Sequence, residues 1–317
     1  MIKVLFTIIV FGFLAWLVDF GELANTLINI RLDYLVLLFL IGILMVWLSA
    51  LKWQVFVRAA GHDAGILHLM KLYTVGYFFN TFTPSYIGGD IARSYHLGRF
   101  LNNQKDAFAA TFLERFTGLL AMSILGVSFV CLGAKVTAGV EYAIFIVAIG
   151  AVALALIFFS RKFCQLFESI ATTLMVRFLP EKYSKKGKSI MTKVLSAMES
   201  ARGNMPLFVK AMMLSLAFHV GTVLNTWAAA RAVGWENPDP MGLFIVVPLV
   251  LLVSMVPLTP AGIGIQEGAF LFFLQRIGAT EAQGLGVGVV LRAKVMVIAM
   301  LGGLLWLYVR KSEDSTS

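Results

Sequence analysis

The chain has 317 residues, of which 59% are hydrophobic and 14% charged, with a mean hydropathy of +0.86. Soluble globular chains are nearer half apolar and a quarter charged, so the composition excludes an ordinary soluble domain and points to a polytopic membrane protein. The net charge of +9 does not imply a nucleic-acid partner, because Lys and Arg collect in the cytoplasmic loops of membrane proteins.

Residues 2–18 resemble a signal peptide but lack a small-x-small cleavage site before Asp19, and so read as an uncleaved first span. Further full spans are expected at 34–51, 107–132, 142–160, 207–230 and 284–309, each near the length a bilayer core requires. Two other apolar regions, 66–90 and 241–277, are interrupted by Pro and Gly. Trp16, Tyr34, Trp47, Trp53, Tyr142, Trp227, Trp306 and Tyr308 fall near the span ends, as interfacial aromatics do.

Charge sets the orientation. Segment 161–205 holds nine Lys or Arg against three Glu, which makes it cytoplasmic, and Arg310 and Lys311 put the C-terminus on the same side. Segment 19–33 and the loop 231–240 are acidic enough to lie outside. Lys52, Arg58 and Lys71 precede the first interrupted region, and Arg93, Arg99 and Lys105 follow it, so both its flanks read as cytoplasmic. That region should therefore enter and leave from inside, and 241–277 from outside. The expected fold is all-α, with six full spans and two re-entrant hairpins in an inverted repeat. The repeats are 19–133 and 207–309, within one integral membrane domain. Irregular backbone is tolerated at membrane depth only where protein or a wet cavity surrounds it, so both hairpins should be sheltered. Segment 161–205 reads as an amphipathic helix on the inner leaflet, or as a surface for anionic head groups. Cys131 and Cys164 should lie at opposite faces, unpaired.

The two interrupted regions share a pattern. "TFTPSYIGGD" carries Thr83-Pro84, Gly88-Gly89 and Asp90, and "PLTPAGIGIQE" carries Thr259-Pro260, Gly262, Gly264 and Glu267. Arg115 follows Asp90 by 25 residues, and Arg292 follows Glu267 by 25. Proline ends a helix by removing a donor and fixing φ, and glycine permits tight reversal. Such interrupted segments in the two halves of a membrane chain point to a transport site. The ends of half-helices offer unpaired amides or carbonyls, and a helix N-terminus suits a phosphate.

Charges in a span are costly and normally face the bundle interior in pairs. Asp90, Arg93, Glu114 and Arg115 are expected to form one network, and Glu267 with Arg292 its counterpart. Two roles are compatible: mutual neutralisation that holds the hairpins, and capture of a phosphate by the arginine forks. On 207–230, Ser215, His219, Thr222 and Thr226 share a helical face, with Asn225 close by. They are candidates either for core packing or for lining a cavity. Gly284 and Gly288 fit close helix approach.

"NTFTPSYIGGDIAR" (80–93), "LERFTGLL" (113–120) and "PLTPAGIGIQEGAF" (257–270) resemble the lysylphosphatidylglycerol synthase transmembrane-region family, a flippase-like group of integral membrane proteins. The resemblance runs along nearly the whole chain, at Asn80, Pro84, Gly88, Gly89, Asp90, Arg93, Glu114, Arg115, Pro260, Gly262, Gly264, Glu267 and Arg292. Ala261 departs from it, since glycine is frequent there. Better-known members fuse this region to a soluble domain that aminoacylates phosphatidylglycerol, and their membrane region is implicated in moving the product lipid. Stand-alone members are linked to hopanoid, glycolipid or polyprenyl-linked pathways.

The expectation is a stand-alone lipid translocase of the cytoplasmic (inner) membrane, with both termini cytoplasmic. Its partner would be an anionic or polyprenyl-phosphate lipid, with no cofactor, metal or nucleic acid. The alternatives are an accessory subunit for a separate synthase or glycosyltransferase, and a lipid-modifying enzyme.

Overall fold

A computed structural model describes residues 20–83, 87–132, 140–178, 180–255, 259 and 261–314. The span expected at 2–18 lies outside them. Twelve helices follow in order among the described residues: α1 (Phe20–Ile28), α2 (Leu32–Ala59), α3 (Ile66–Phe82), α4 (Ile87–Phe100), α5 (Gln104–Cys131), α6 (Val140–Phe159), α7 (Arg161–Phe178), α8 (Glu181–Gly203), α9 (Met205–Ala232), α10 (Pro240–Ser254), α11 (Ile265–Gln275) and α12 (Glu281–Asp314).

Four of these, α2, α5, α9 and α12 as far as Leu307, are long and apolar enough to cross a membrane. They coincide with four of the expected spans. The outward faces of α2 and α12 carry exposed Leu40, Ile43, Leu44, Met300, Leu301 and Leu304. A helix that is apolar all round belongs in lipid or a large core. The stretch expected to span at 142–160 is helical as α6, and the chain then bends by 103° into α7. The basic segment 161–205 comprises two helices, α7 and α8, plus the start of α9.

Local chemistry sets several helix starts. Asn103 Oδ1 accepts from the N–H groups of Lys105 and Asp106 at 3.1 and 3.2 Å, and Asn204 Oδ1 accepts from Leu207 N–H at 3.3 Å. Asp239 caps α10 through Met241 and Gly242, with Pro240 in the first turn. These oxygens satisfy amides that have no partner inside the helix.

Two helical hairpins open at opposite ends of the bundle. At one end the Arg31 N–H donates to the Ala232 carbonyl at 2.9 Å, so α2 and α9 run antiparallel. The arms of the second hairpin, α10 and α11, open at this end, where Gly242 lies against Ile277 and Gln283 Nε2 reaches the Gly234 carbonyl at 3.4 Å. At the other end, His62 meets Asp106 at 2.9 Å. The arms of the first hairpin, α3 and α4, open there, and the His68 and Phe100 rings lie 4.3 Å apart. The second arm of this hairpin runs to Phe100, ten residues past the expected limit at 90. It continues because Arg93 and Ser94 have buried partners on α5.

Packing partners are exchanged between the halves. α3 lies against α12, and α10 against α5. α4 packs on α5 as α11 packs on α12, while α2 and α9 pack on each other. Small residues allow the close approaches. A Cβ on Gly284 or Gly288 would stand 3.1 or 3.0 Å from a Cα of α11, and one on Gly302 would strike the Thr74 carbonyl oxygen of α3.

Candidate functional site

The interruption in each hairpin leaves its tip deep in the bundle, and the tips touch. The Ala261 N–H donates to the Thr83 carbonyl at 3.1 Å. Pro84 and Pro260 lie outside the described residues. Around the first tip, the Gly89 N–H donates to Asn80 Oδ1 at 2.7 Å, closing α4 onto α3. A Cβ at Gly89 would strike the Gly76 carbonyl oxygen, and one at Gly88 would strike the Thr83 side chain. Both positions hold the arms at glycine distance.

Asp90 begins α4, and the antiparallel α5 brings Glu114 and Arg115 beside it. Arg115 grips Asp90 with two parallel bonds of 2.8 Å, Nε to Oδ2 and Nη2 to Oδ1. Arg93 Nε donates to Asp90 Oδ1 at 3.0 Å, and Arg93 Nη2 donates to Glu114 Oε2 at 2.5 Å. Glu114 Oε1 accepts from Lys52 Nζ and from Tyr73 Oη, both at 3.1 Å. The Arg93 guanidinium lies 4.7 Å from the Trp53 ring centroid and 4.3 Å from that of Tyr73. The four residues expected to form a network do so.

The second tip is built on the same plan. Gly264, at φ 83°, starts α11, and its N–H donates to Glu267 Oε2 at 2.7 Å. Arg292 on α12 donates through Nε to Glu267 Oε1 at 2.6 Å. Its Nη1 and Nη2 reach the carbonyls of Ala261 and Gly262 at 2.8 and 3.1 Å. Both carboxylate–arginine pairs at the 25-residue spacing are therefore formed, each between a hairpin arm and the following span.

The two arginines differ in what they leave open. Arg292 has only 12% of its side chain accessible and is turned onto the tip, whereas Arg115 keeps 43% accessible. Arg93 is 1% accessible and walled in by aromatics.

On α9, Ser215, His219, Asn225 and Thr226 are buried, with Thr222 partly so. His219 Nε2 lies 2.9 Å from the Gly118 carbonyl, and Asn225 Oδ1 accepts from Lys294 Nζ at 2.9 Å. The hydroxyls of Thr222 and Thr226 donate to the carbonyls of Phe218 and Thr222 within their own helix. A cavity of about 610 Å³ lies elsewhere, at the His62 end, between α2, α5, α8 and the start of α9.

Three residues read from sequence as flanking or interfacial belong to the core. Lys52, expected in a cytoplasmic flank, is 3% exposed because Glu114 draws it inward. Trp53, expected at an interface, is wholly buried, with Nε1 donating to Thr111 Oγ1 at 3.1 Å. Arg93, also counted as a flank charge, lies inside the hairpin. Tyr73 gave no signal in the sequence beyond an aromatic in an apolar run.

Fold and site together define an integral membrane protein made of α-helices, with two interrupted hairpins that meet through a backbone hydrogen bond, each tied to the following span by an ion pair. The chain belongs to the family described as the lysylphosphatidylglycerol synthase TM region, whose model matches residues 1–303. It is similar to a UPF0104 membrane protein of Methanothermobacter thermautotrophicus, 22% identical over 86% of this chain and 84% of the relative. A second protein of that name and organism is 23% identical over 91% of this chain and 84% of its own length. A UPF0104 membrane protein of Methanocaldococcus jannaschii is 24% identical over 78% of this chain and 76% of the relative.

Proposed function

We propose that the chain is a lipid translocase that carries an anionic, phosphate-bearing head group across the cytoplasmic membrane while the lipid tail stays in the bilayer. The observation that carries this reading is Arg115. It is an arginine within an apolar span, held bidentately by Asp90, with 43% of its side chain still accessible beside the meeting point of the hairpin tips. A cation in a membrane core normally signals a substrate path, and an arginine fork matches phosphate oxygens.

The rest of the cluster supports the same reading. Among the described residues, Lys52, Arg93 and Arg115 form ion pairs with Asp90 and Glu114 alone, so this cluster holds one positive charge more than its carboxylates balance. An anion would complete it. The exchange of packing partners between the halves supports an inverted repeat, in which one half rocks against the other to alternate access. The hairpins would then be re-entrant, the first from the cytoplasm and the second from outside. The basic segment 161–205 supports placing the His62 end, and with it the C-terminus, in the cytoplasm.

The test is reconstitution into phosphatidylcholine vesicles containing a trace of fluorescent phosphatidylglycerol, with leaflet exchange followed by chemical quenching of the outer leaflet. The reading expects exchange that Arg115→Gln slows at least tenfold. Absence of exchange for phosphatidylglycerol and for a polyprenyl phosphate alike overturns it.

A further inference from the structure

Lys294 is a buried lysine that the reading above leaves without a task. It lies on α12, is 7% exposed, and its Nζ donates to Asn225 Oδ1 at 2.9 Å. That oxygen belongs to a neutral amide. Among the described residues, no ionisable group on the helices packed against α12 bonds to Lys294, Glu22 on α1 included. Glu267 on α11 holds Arg292 and the Gly264 N–H, and His219 on α9 faces the Gly118 carbonyl. Tyr73 on α3 and Lys52 on α2 both donate to Glu114. From α2 the side nearest Lys294 is Gly42, whose Cβ position is 3.5 Å from the lysine Cδ. No described carboxylate forms an ion pair with Lys294.

The two halves make the contrast sharp. Lys52 is the twenty-first residue of the 28-residue α2, and Asn225 is the twenty-first of the 28-residue α9. In the first half that position meets α5 as Lys52–Glu114, a closed ion pair. In the second half it meets α12 as Asn225–Lys294. The lysine stands on α2 in the first half and on α12 in the second, and only the first is met by a carboxylate. Neutralisation of a neighbour therefore explains Lys52 and not Lys294. Removing an ion from water without a partner charge is costly, and an anion nearby favours the protonated amine.

We infer that Lys294 carries the coupling proton. Its amine nitrogen accepts a proton from water as the lipid phosphate arrives, forming the ammonium, and releases it when the phosphate leaves. One proton then moves with each monoanionic head group, in the same direction and with no net charge transferred. The inference rests on the translocase reading for the identity of the anion, and it adds the driving force.

Two measurements test it. In proteoliposomes bearing fluorescent phosphatidylglycerol, a gradient of one pH unit should enrich the lipid about tenfold in the leaflet facing the alkaline side, the ratio set by one coupled proton. In Lys294→Arg the charge is fixed, because arginine keeps its proton, and the enrichment should vanish. The second measurement is calorimetric titration of the purified protein with short-chain dihexanoylphosphatidylglycerol, a phosphodiester that stays monoanionic, in two buffers of different ionisation heat. It should report one proton taken up per ligand in the wild type, and none in Lys294→Arg or Lys294→Met. Exchange that ignores the gradient, or equal proton uptake in the arginine variant, overturns the coupling and leaves the translocase standing. Absence of any exchange in the wild type overturns the translocase reading itself.

Discussion

The peptide N–H of Ala261 points at the carbonyl of Thr83, 3.1 Å away, and this contact joins two hairpins that open at opposite ends of the bundle. Ala261 adopts φ 52° to make it. The left-handed region costs a residue with a Cβ roughly 1–2 kcal/mol. Ala261→Gly is therefore expected to raise stability by about 0.5–1 kcal/mol, part of the gain being lost to the extra freedom of glycine when unfolded. Ala261→Val, β-branched, should lower it. Thermal midpoints of the three proteins in one detergent check the order Gly, Ala, Val.

Glu114 accepts from Lys52, Arg93 and Tyr73, all of them buried. Glu114→Gln leaves Lys52 without its carboxylate and Arg93 with Asp90 alone, and breaking a buried pair in this way costs about 3–5 kcal/mol. The expected result is a large loss of monodisperse protein on size exclusion. Adding Lys52→Met should recover part of it, since Arg93 retains Asp90. An additive double variant would show that the pair is not coupled.

Arg115 and Arg292 occupy matching places and should fail differently. Arg292 binds Glu267 and two tip carbonyls, so Arg292→Gln should cost about 3 kcal/mol or more of stability, as loss of one partner of a buried pair does. Arg115 is 43% accessible, so Arg115→Gln should cost less than half of that while removing leaflet exchange. Parallel thermal-shift and exchange measurements on the two variants read the split.

Gly302 allows α12 to lie on the backbone of α3, where a Cβ would strike the Thr74 carbonyl oxygen. Gly302→Ala should prise the two helices apart and lower the thermal midpoint. At Gly150 on α6 a Cβ would meet nothing within 4 Å. Gly150→Ala should raise stability by about 1 kcal/mol or leave it unchanged, because alanine is the better helix former.

The pairing of Asp90 with Arg115 and of Glu267 with Arg292 could be read from the sequence. A carboxylate just after a helix break, followed at 25 residues by an arginine in the next apolar run, must meet it when the two helices run antiparallel. The four long apolar spans were legible for the same local reason. Lys52, Trp53 and Tyr73 were not. "LKWQVFVRA" looks like the basic and aromatic edge of a membrane, and only Glu114 on another helix makes it the core. Burial of a charge is a property of its partner, and no local pattern carries it. The length of α4 was missed similarly, since Ser94 shows no partner until Thr111 on α5 is in place.

The hydrogen bond described between the tips lies between two peptide groups. Its donor is common to every residue except proline, and its acceptor to all. Replacement at 83, or at 261 by any residue but proline, shifts the contact without deleting it. An ester in place of the amide at Ala261 would take away the hydrogen that bonds the Thr83 carbonyl. The strength of the latch is then about that of a single backbone bond, roughly 1 kcal/mol net. Fastened so lightly between helices held by ion pairs, the two hairpins are expected to part at this contact first.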